Sequence, residues 1–123
     1  MTAELLPRGS VLSSNGEGSP VEVPAGRSFL CLMVIEAMIE QESLDVSIWG
    51  SEDGSNFIAR PLVKFPQRFY SGRTQVVLDL ADFPGVKYLK ARWEVLRWGR
   101  GSPQAMFRAH VTVEEMARPV SVQ

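Results

Sequence analysis

With 123 residues, 45% hydrophobic and 22% charged, the chain has the size and balance of one globular domain, which excludes wholesale disorder and any need for a metal or disulfide to hold it together. A formal net charge of −1 argues against a nucleic-acid binder, and a single cysteine excludes an internal bridge. The charge is unevenly spread. Residues 1–56 carry two basic against nine acidic side chains, and residues 57–123 carry eleven against five. Folding either mixes these halves again or leaves complementary poles for head-to-tail packing of subunits.

In chain order, residues 1–9 read as an N-terminal arm. They lack the basic start and apolar stretch of a signal peptide, so synthesis in the cytosol is expected, with departure only inside a larger particle. Turn residues follow at 14–20 and 24–26. Residues 28–38 are almost continuously apolar, as in a central strand covered on both faces, and far too short to span a membrane. Cys31 lies in this run and reads as a small buried hydrophobe, with no neighbouring base to activate it. A helical end to the stretch 30–43 is an alternative, opposed by the β-branched and aromatic residues leading into it.

Period-two alternation marks the remaining strands. Leu44, Val46 and Ile48 share one face, as do Val76, Leu78 and Leu80. Leu89, Ala91, Trp93 and Val95 point inward with Lys90, Arg92 and Glu94 outward. Phe107, Ala109, Val111 and Val113 form a last inward row. Pro61 demotes residues 57–65 to an edge or bulged strand. Residues 82–85 suit one 3₁₀ turn. Turns every ten to twenty residues complete the pattern of an all-β, antiparallel β-sandwich of about eight strands, jelly-roll-like. The domain is expected at 10–115, and residues 116–123 read as a C-terminal tail.

The segment from Ile48 to Phe57 is the sharpest local pattern. A strand ends, Asp53-Gly54 makes a turn, and an aromatic opens the next strand. Asp bonds its own backbone and Gly accepts positive φ, so both are structural residues, as is inward-facing Trp93. This Ser-x-Asp-Gly-x-x-aromatic hairpin, followed by Tyr88-Leu89-Lys90-Ala91-Arg92, resembles the hairpin and strand of discoidin-like and galactose-binding-like sandwiches. The likeness covers about half the chain. The whole layout is also similar to small β-sandwich proteins encoded among tailed-phage structural genes. That resemblance implies a capsid decoration, fibre or tail accessory that is part of a virion.

Chemistry is sparse. His110 is the only histidine. It alternates outward between Arg108 and Thr112 and reads as a surface residue. No nucleophile elbow, zinc-ligand set, phosphate loop or dinucleotide fingerprint accompanies it, so neither an enzyme nor a cofactor is expected. Exposed aromatics raise two binding readings. Arg97-Trp98-Gly99-Arg100 looks like a hairpin tip suited to a protein contact, because Trp and Arg dominate interface energies. Trp49 and Tyr88 are further contact candidates, and together with Tyr70 and Trp98 could instead stack on a glycan. The favoured function is a non-enzymatic structural protein whose partner is itself or other subunits of a larger assembly. A carbohydrate-binding module is the alternative, and neither nucleic acid nor membrane is expected as a partner.

Overall fold

The computed structural model describes residues 1–39, 41–98 and 106–116. The strands are β1 (Thr2–Leu6), β2 (Val11–Leu12), β3 (Gly16–Glu17), β4 (Val21–Glu22), β5 (Ser28–Met38), β6 (Glu42–Ser51), β7 (Val63–Lys64), β8 (Gly72–Asp79), β9 (Tyr88–Arg97) and β10 (Phe107–Glu115). They form two antiparallel sheets. One runs β1-β10-β5-β8, with β2 also on β10, and the other runs β3-β9-β6-β7, with β4 also on β9. The sheets face each other as a β-sandwich. Among the described residues there are ten strands where about eight are expected, because the turn-rich stretches contribute the two-residue strands β2, β3, β4 and β7.

The alternation read from sequence is the alternation observed. Phe29, Cys31, Met33 and Ile35 of β5 meet Leu44, Val46 and Ile48 of β6, Leu78 of β8, Leu89 and Ala91 of β9, and Phe107, Ala109, Val111 and Val113 of β10 in one core. Burial of this apolar surface is the main force holding the two sheets face to face. Trp93 and Val95 pack at its margin. Trp93 is half-buried, lying beneath the glycines of the edge segment 16–18: a Cβ on Gly16 would sit 3.0 Å from its indole. Gly18 also lets the backbone pass, since its Cβ would come within 2.5 Å of the Leu5 carbonyl oxygen.

Several expectations are corrected. Residues 1–9, read as an arm, include β1, which pairs with β10 from Thr2↔Glu114 to Leu6↔Val111. A register irregularity between Glu4 and Leu6 accompanies the burial of two consecutive leucines, Leu5 and Leu6. A bulge of this kind breaks strict alternation, which is why the leucines carry no strand signal in sequence. The stretch 30–43 has no helical end: β5 runs to Met38 and β6 begins at Glu42. Glu42 is fully buried, with Oε2 accepting from Ile39 N (3.0 Å) and Oε1 from Met106 N (2.8 Å). The carboxylate thus closes the β5–β6 turn and anchors the start of β10, a role period-two reading cannot reveal. The 3₁₀ turn forms at Leu80–Asp82, not at 82–85, because Asp79 caps it by accepting from Ala81 N. Pro61 does confine its segment to an edge: Val63–Lys64 pairs with Ser47 and Ile48 as a two-residue strand, and Phe57 forms an isolated bridge to Ser51.

Two further differences concern surfaces. The run in β5, expected to be covered on both faces, is buried on one; Leu30, Leu32 and Val34 are half-buried on the outside of the first sheet. His110 does face outward, but it is 8% exposed, and its Nδ1 lies 3.0 Å from Glu36 Oε1. It is therefore a buried, hydrogen-bonded residue and not a free surface histidine.

Candidate interaction surface

The hairpin after β6 is built by side chains replacing backbone bonds. Ser51 Oγ accepts from the N–H groups of Asp53 (3.2 Å) and Gly54 (2.9 Å). Its one proton lies between Asn56 O (2.7 Å) and Asp53 Oδ1 (3.0 Å). Asp53 Oδ1 also accepts from Ser55 N and Asn56 N, both at 2.8 Å, and Oδ2 from Asn56 Nδ2 at 2.8 Å. These donors, Asn56 N–H foremost, hold the Asp53 carboxyl well below the usual carboxylate range. Gly54 adopts φ 83°, and a Cβ there would press on the Tyr88 ring at 3.2 Å. Asp53, Gly54 and Tyr88 thus form one unit, closed by a bridge from Ser51 to Phe57.

The outer face of the second sheet carries a ladder of cations and rings. Lys90 Nζ sits 3.9 Å from the Phe57 ring centroid, and Arg92 Cζ 4.6 Å from that of Trp49. Glu17 of β3 bridges the two cations, at 3.2 Å from Lys90 Nζ and 3.6 Å from Arg92 Nε. The Trp49 indole donates to Ser47 Oγ at 2.8 Å. A polar cleft of about 700 Å³ runs beside it, with Asp45, Lys64, Arg92 and Glu94 on its walls. Glu17 belongs to the acidic half of the chain and Lys90 and Arg92 to the basic half, so folding does mix the two charges here.

The opposite end of the same face is apolar. Leu96 and Trp98 are 63% and 52% exposed, and Phe69 and Tyr70, before β8, are 46% and 61% exposed. Reciprocal backbone bonds join Leu44 and Arg68, so Phe69 follows beside Ser43, whose other neighbour is Leu96. Ser43 is fully buried between them. Phe69 and Trp98 meet edge to face, centroids 6.1 Å apart. Trp98 N also donates to Gln41 O, which pins the indole's backbone to the β5–β6 turn.

Of the residues singled out in sequence, Trp49 and Tyr88 lie together near the hairpin. Arg97 and Trp98 lie at the other end of β9, ten residues and roughly 33 Å from Tyr88. Arg100 lies outside the described residues, as do residues 117–123 of the expected tail. Tyr88 and Trp98 therefore do not share a platform, and the rings of Trp49 and Phe57 already carry cations. Phe69 and Leu96 were missed in sequence, and Tyr70 was read only as a glycan-stacking candidate. The signal available was an adjacent aromatic pair between Pro66 and Gly72, in a loop where no core position calls for one. Cys31, deep in the core, has its thiol pushed up to about 12 by burial, which leaves it protonated and inert.

This fold has counterparts among solved structures. The chain aligns with a chain in the structure of infectious bursal disease virus Gx strain at a TM-score of 0.61 and 9% identity, over 97% of this chain and 32% of that one. The crystal structure of the infectious bursal disease virus VP2 subviral particle gives 0.59 and 11%, over 92% and 31%. The SPBc2 prophage-derived protein YomS aligns at 0.49 and 11%, over 93% and 92%. The chain spans about a third of the two viral chains. At such identities the likeness is one of fold, an all-β sandwich. No protein-family profile matches the chain, and no curated protein matches it in sequence.

Proposed function

We propose that this chain is a non-enzymatic structural subunit that packs against further copies of itself within a larger protein assembly, of the kind from which virus or phage particles are built. The observation that carries this reading is the patch of Phe69, Leu96 and Trp98, three large apolar side chains exposed at one end of the sandwich, with exposed Tyr70 next to Phe69 in the chain. Contiguous exposed apolar surface marks interaction sites, and Trp and Tyr are the side chains that most often anchor them. Arg97 and Arg100 would steer and orient such a contact, while Trp98 would anchor it. The fold likeness to chains of infectious bursal disease virus and of its VP2 subviral particle supports the same direction, and residence in such a particle is the localisation this reading implies.

The discoidin-like hairpin is best understood as shared turn chemistry, since Ser51, Asp53 and Asn56 direct their polar atoms at one another. For glycan stacking a ring needs a free face, and Arg92 and Lys90 lie over Trp49 and Phe57. The test is a pair of surface variants, Trp98→Ser and Phe69→Ser, whose circular dichroism should match the parent. The expected outcome is loss of the high-mass species in size-exclusion chromatography with each variant. Unchanged elution of both variants, or retention of the parent as a monomer on an immobilised glycan, would overturn the reading.

A further inference from the structure

The first sheet ends on β8 (Gly72–Asp79), whose one strand partner among the described residues is β5. The pairing is unbroken from Ile35↔Gly72 to Ser28↔Asp79, with no bulge. Edge strands in natural proteins are ordinarily shortened, bulged, broken by proline or studded with lysine, because a regular free edge is a template for another strand. β8 has no bulge, proline or lysine, and the two charges it does carry, Arg73 and Asp79, are of opposite sign. It is eight residues long, its outward side chains are Arg73, Gln75, Val77 and Asp79, and Val77 is 58% exposed. The other long edge of this sheet is treated differently: β1 has a register break and ends at Pro7.

The sequence of β8 is complementary to itself. An antiparallel pairing of two copies about Val76 sets Val76 opposite Val76, Gln75 opposite Val77, and Arg73 opposite Asp79. By symmetry each of the last two pairs occurs twice. Both Arg73–Asp79 pairs fall on the outer face, where opposite charges directly across antiparallel strands attract. Asp79 Oδ1 accepts from the N–H of Ala81, which leaves Oδ2 for a guanidinium. The residues paired in this register are all even with even or odd with odd. Whichever set of backbone groups points away from β5, the two copies therefore present matching donors and acceptors. The half-buried stripe of Leu30, Leu32 and Val34 lies beside β8 on the same face.

We infer that β8 is a homotypic docking strand: two copies of the chain pair antiparallel along it, centred on Val76, and fuse their first sheets into one. This rests on the self-assembly proposed above and names the contact. The isologous geometry gives a closed pair, and the aromatic patch at the Trp98 end remains available for building further.

Cysteine cross-linking tests the register. Opposed residues have Cα atoms about 4.5–5.5 Å apart, within disulfide range, whereas each of positions 75 and 77 lies beyond about 7 Å from its own copy. Cys31 is buried in the core and does not compete. The double variant Gln75→Cys/Val77→Cys, oxidised as the full-length protein, should give a covalent dimer whose peptide map links position 75 to position 77. Gln75→Cys or Val77→Cys alone should give at least tenfold less, as should Val11→Cys on the edge strand β2. Equal dimer from all four variants, or none from the double variant, overturns the inference. Light scattering on the parent separates the two levels. A species heavier than one chain without the 75–77 link leaves self-assembly standing and removes β8 as the contact; a monomer removes both.

Discussion

Asp53 illustrates how much one side chain can organise. It accepts four hydrogen bonds from within its own six-residue hairpin, and its depressed pKa follows from them. A carboxyl whose folded pKa lies below its unfolded value of about 3.9 contributes stability above that value and loses it as pH falls through the folded pKa. The hairpin should therefore keep its geometry down to about pH 3. Carbon-detected NMR titration of the Asp53 carboxyl should give a midpoint clearly below 3.9; one at or above it would show that the amides do not hold the carboxylate. His110 makes the opposite lesson. Its alternation is legible in sequence, but its cover is not, because Glu36 is distant in sequence and reaches it across the β5–β10 pairing. His110→Ala should cost about 1 kcal/mol, as for one lost partly buried hydrogen bond. An unchanged urea midpoint would mean that solvent serves the ring equally well.

The long strands were readable because each has one buried and one exposed face, and alternation reports that difference directly. The short strands β2, β3, β4 and β7 were not, since two residues are too few to show a period. Their existence depends on partners elsewhere in the chain: Gly16 and Glu17 are strand only because Trp93 and Arg92 lie opposite. The candidate surface was half legible for the same reason. Trp98 announced itself beside two arginines, whereas Phe69 joins it only through the bridge at Leu44 and Arg68, which pattern cannot foresee. The close passage of the edge segment 16–18 over β1 and Trp93 yields a prediction at this scale. Gly18→Ala would drive a methyl group into the Leu5 carbonyl, a backbone atom that cannot rotate away. It should destabilise the domain by about 1–3 kcal/mol, typical of overpacking. Thermal unfolding that matches the parent would show that β3 can lift from the sandwich without loss.

For the molecule as a whole, the central claim is that the sandwich is a building unit. The charge asymmetry along the chain is partly spent inside the fold, as the Glu17 bridge to Lys90 and Arg92 shows. Association carried by Trp98, Phe69 and the β8 edge should accordingly weaken only modestly between low and 0.5 M salt. A purely electrostatic contact would dissolve under such screening, since the Debye length shrinks to a few Å. The fold supplies the rigid platform: two sheets locked through one core, with apolar surface left at one end and a regular strand left at one edge. The most direct measurement is the solution mass of the full chain by light scattering across a concentration series. The account predicts a mass that rises in whole multiples of 13.7 kDa as concentration increases. A mass that stays at 13.7 kDa throughout would contradict it.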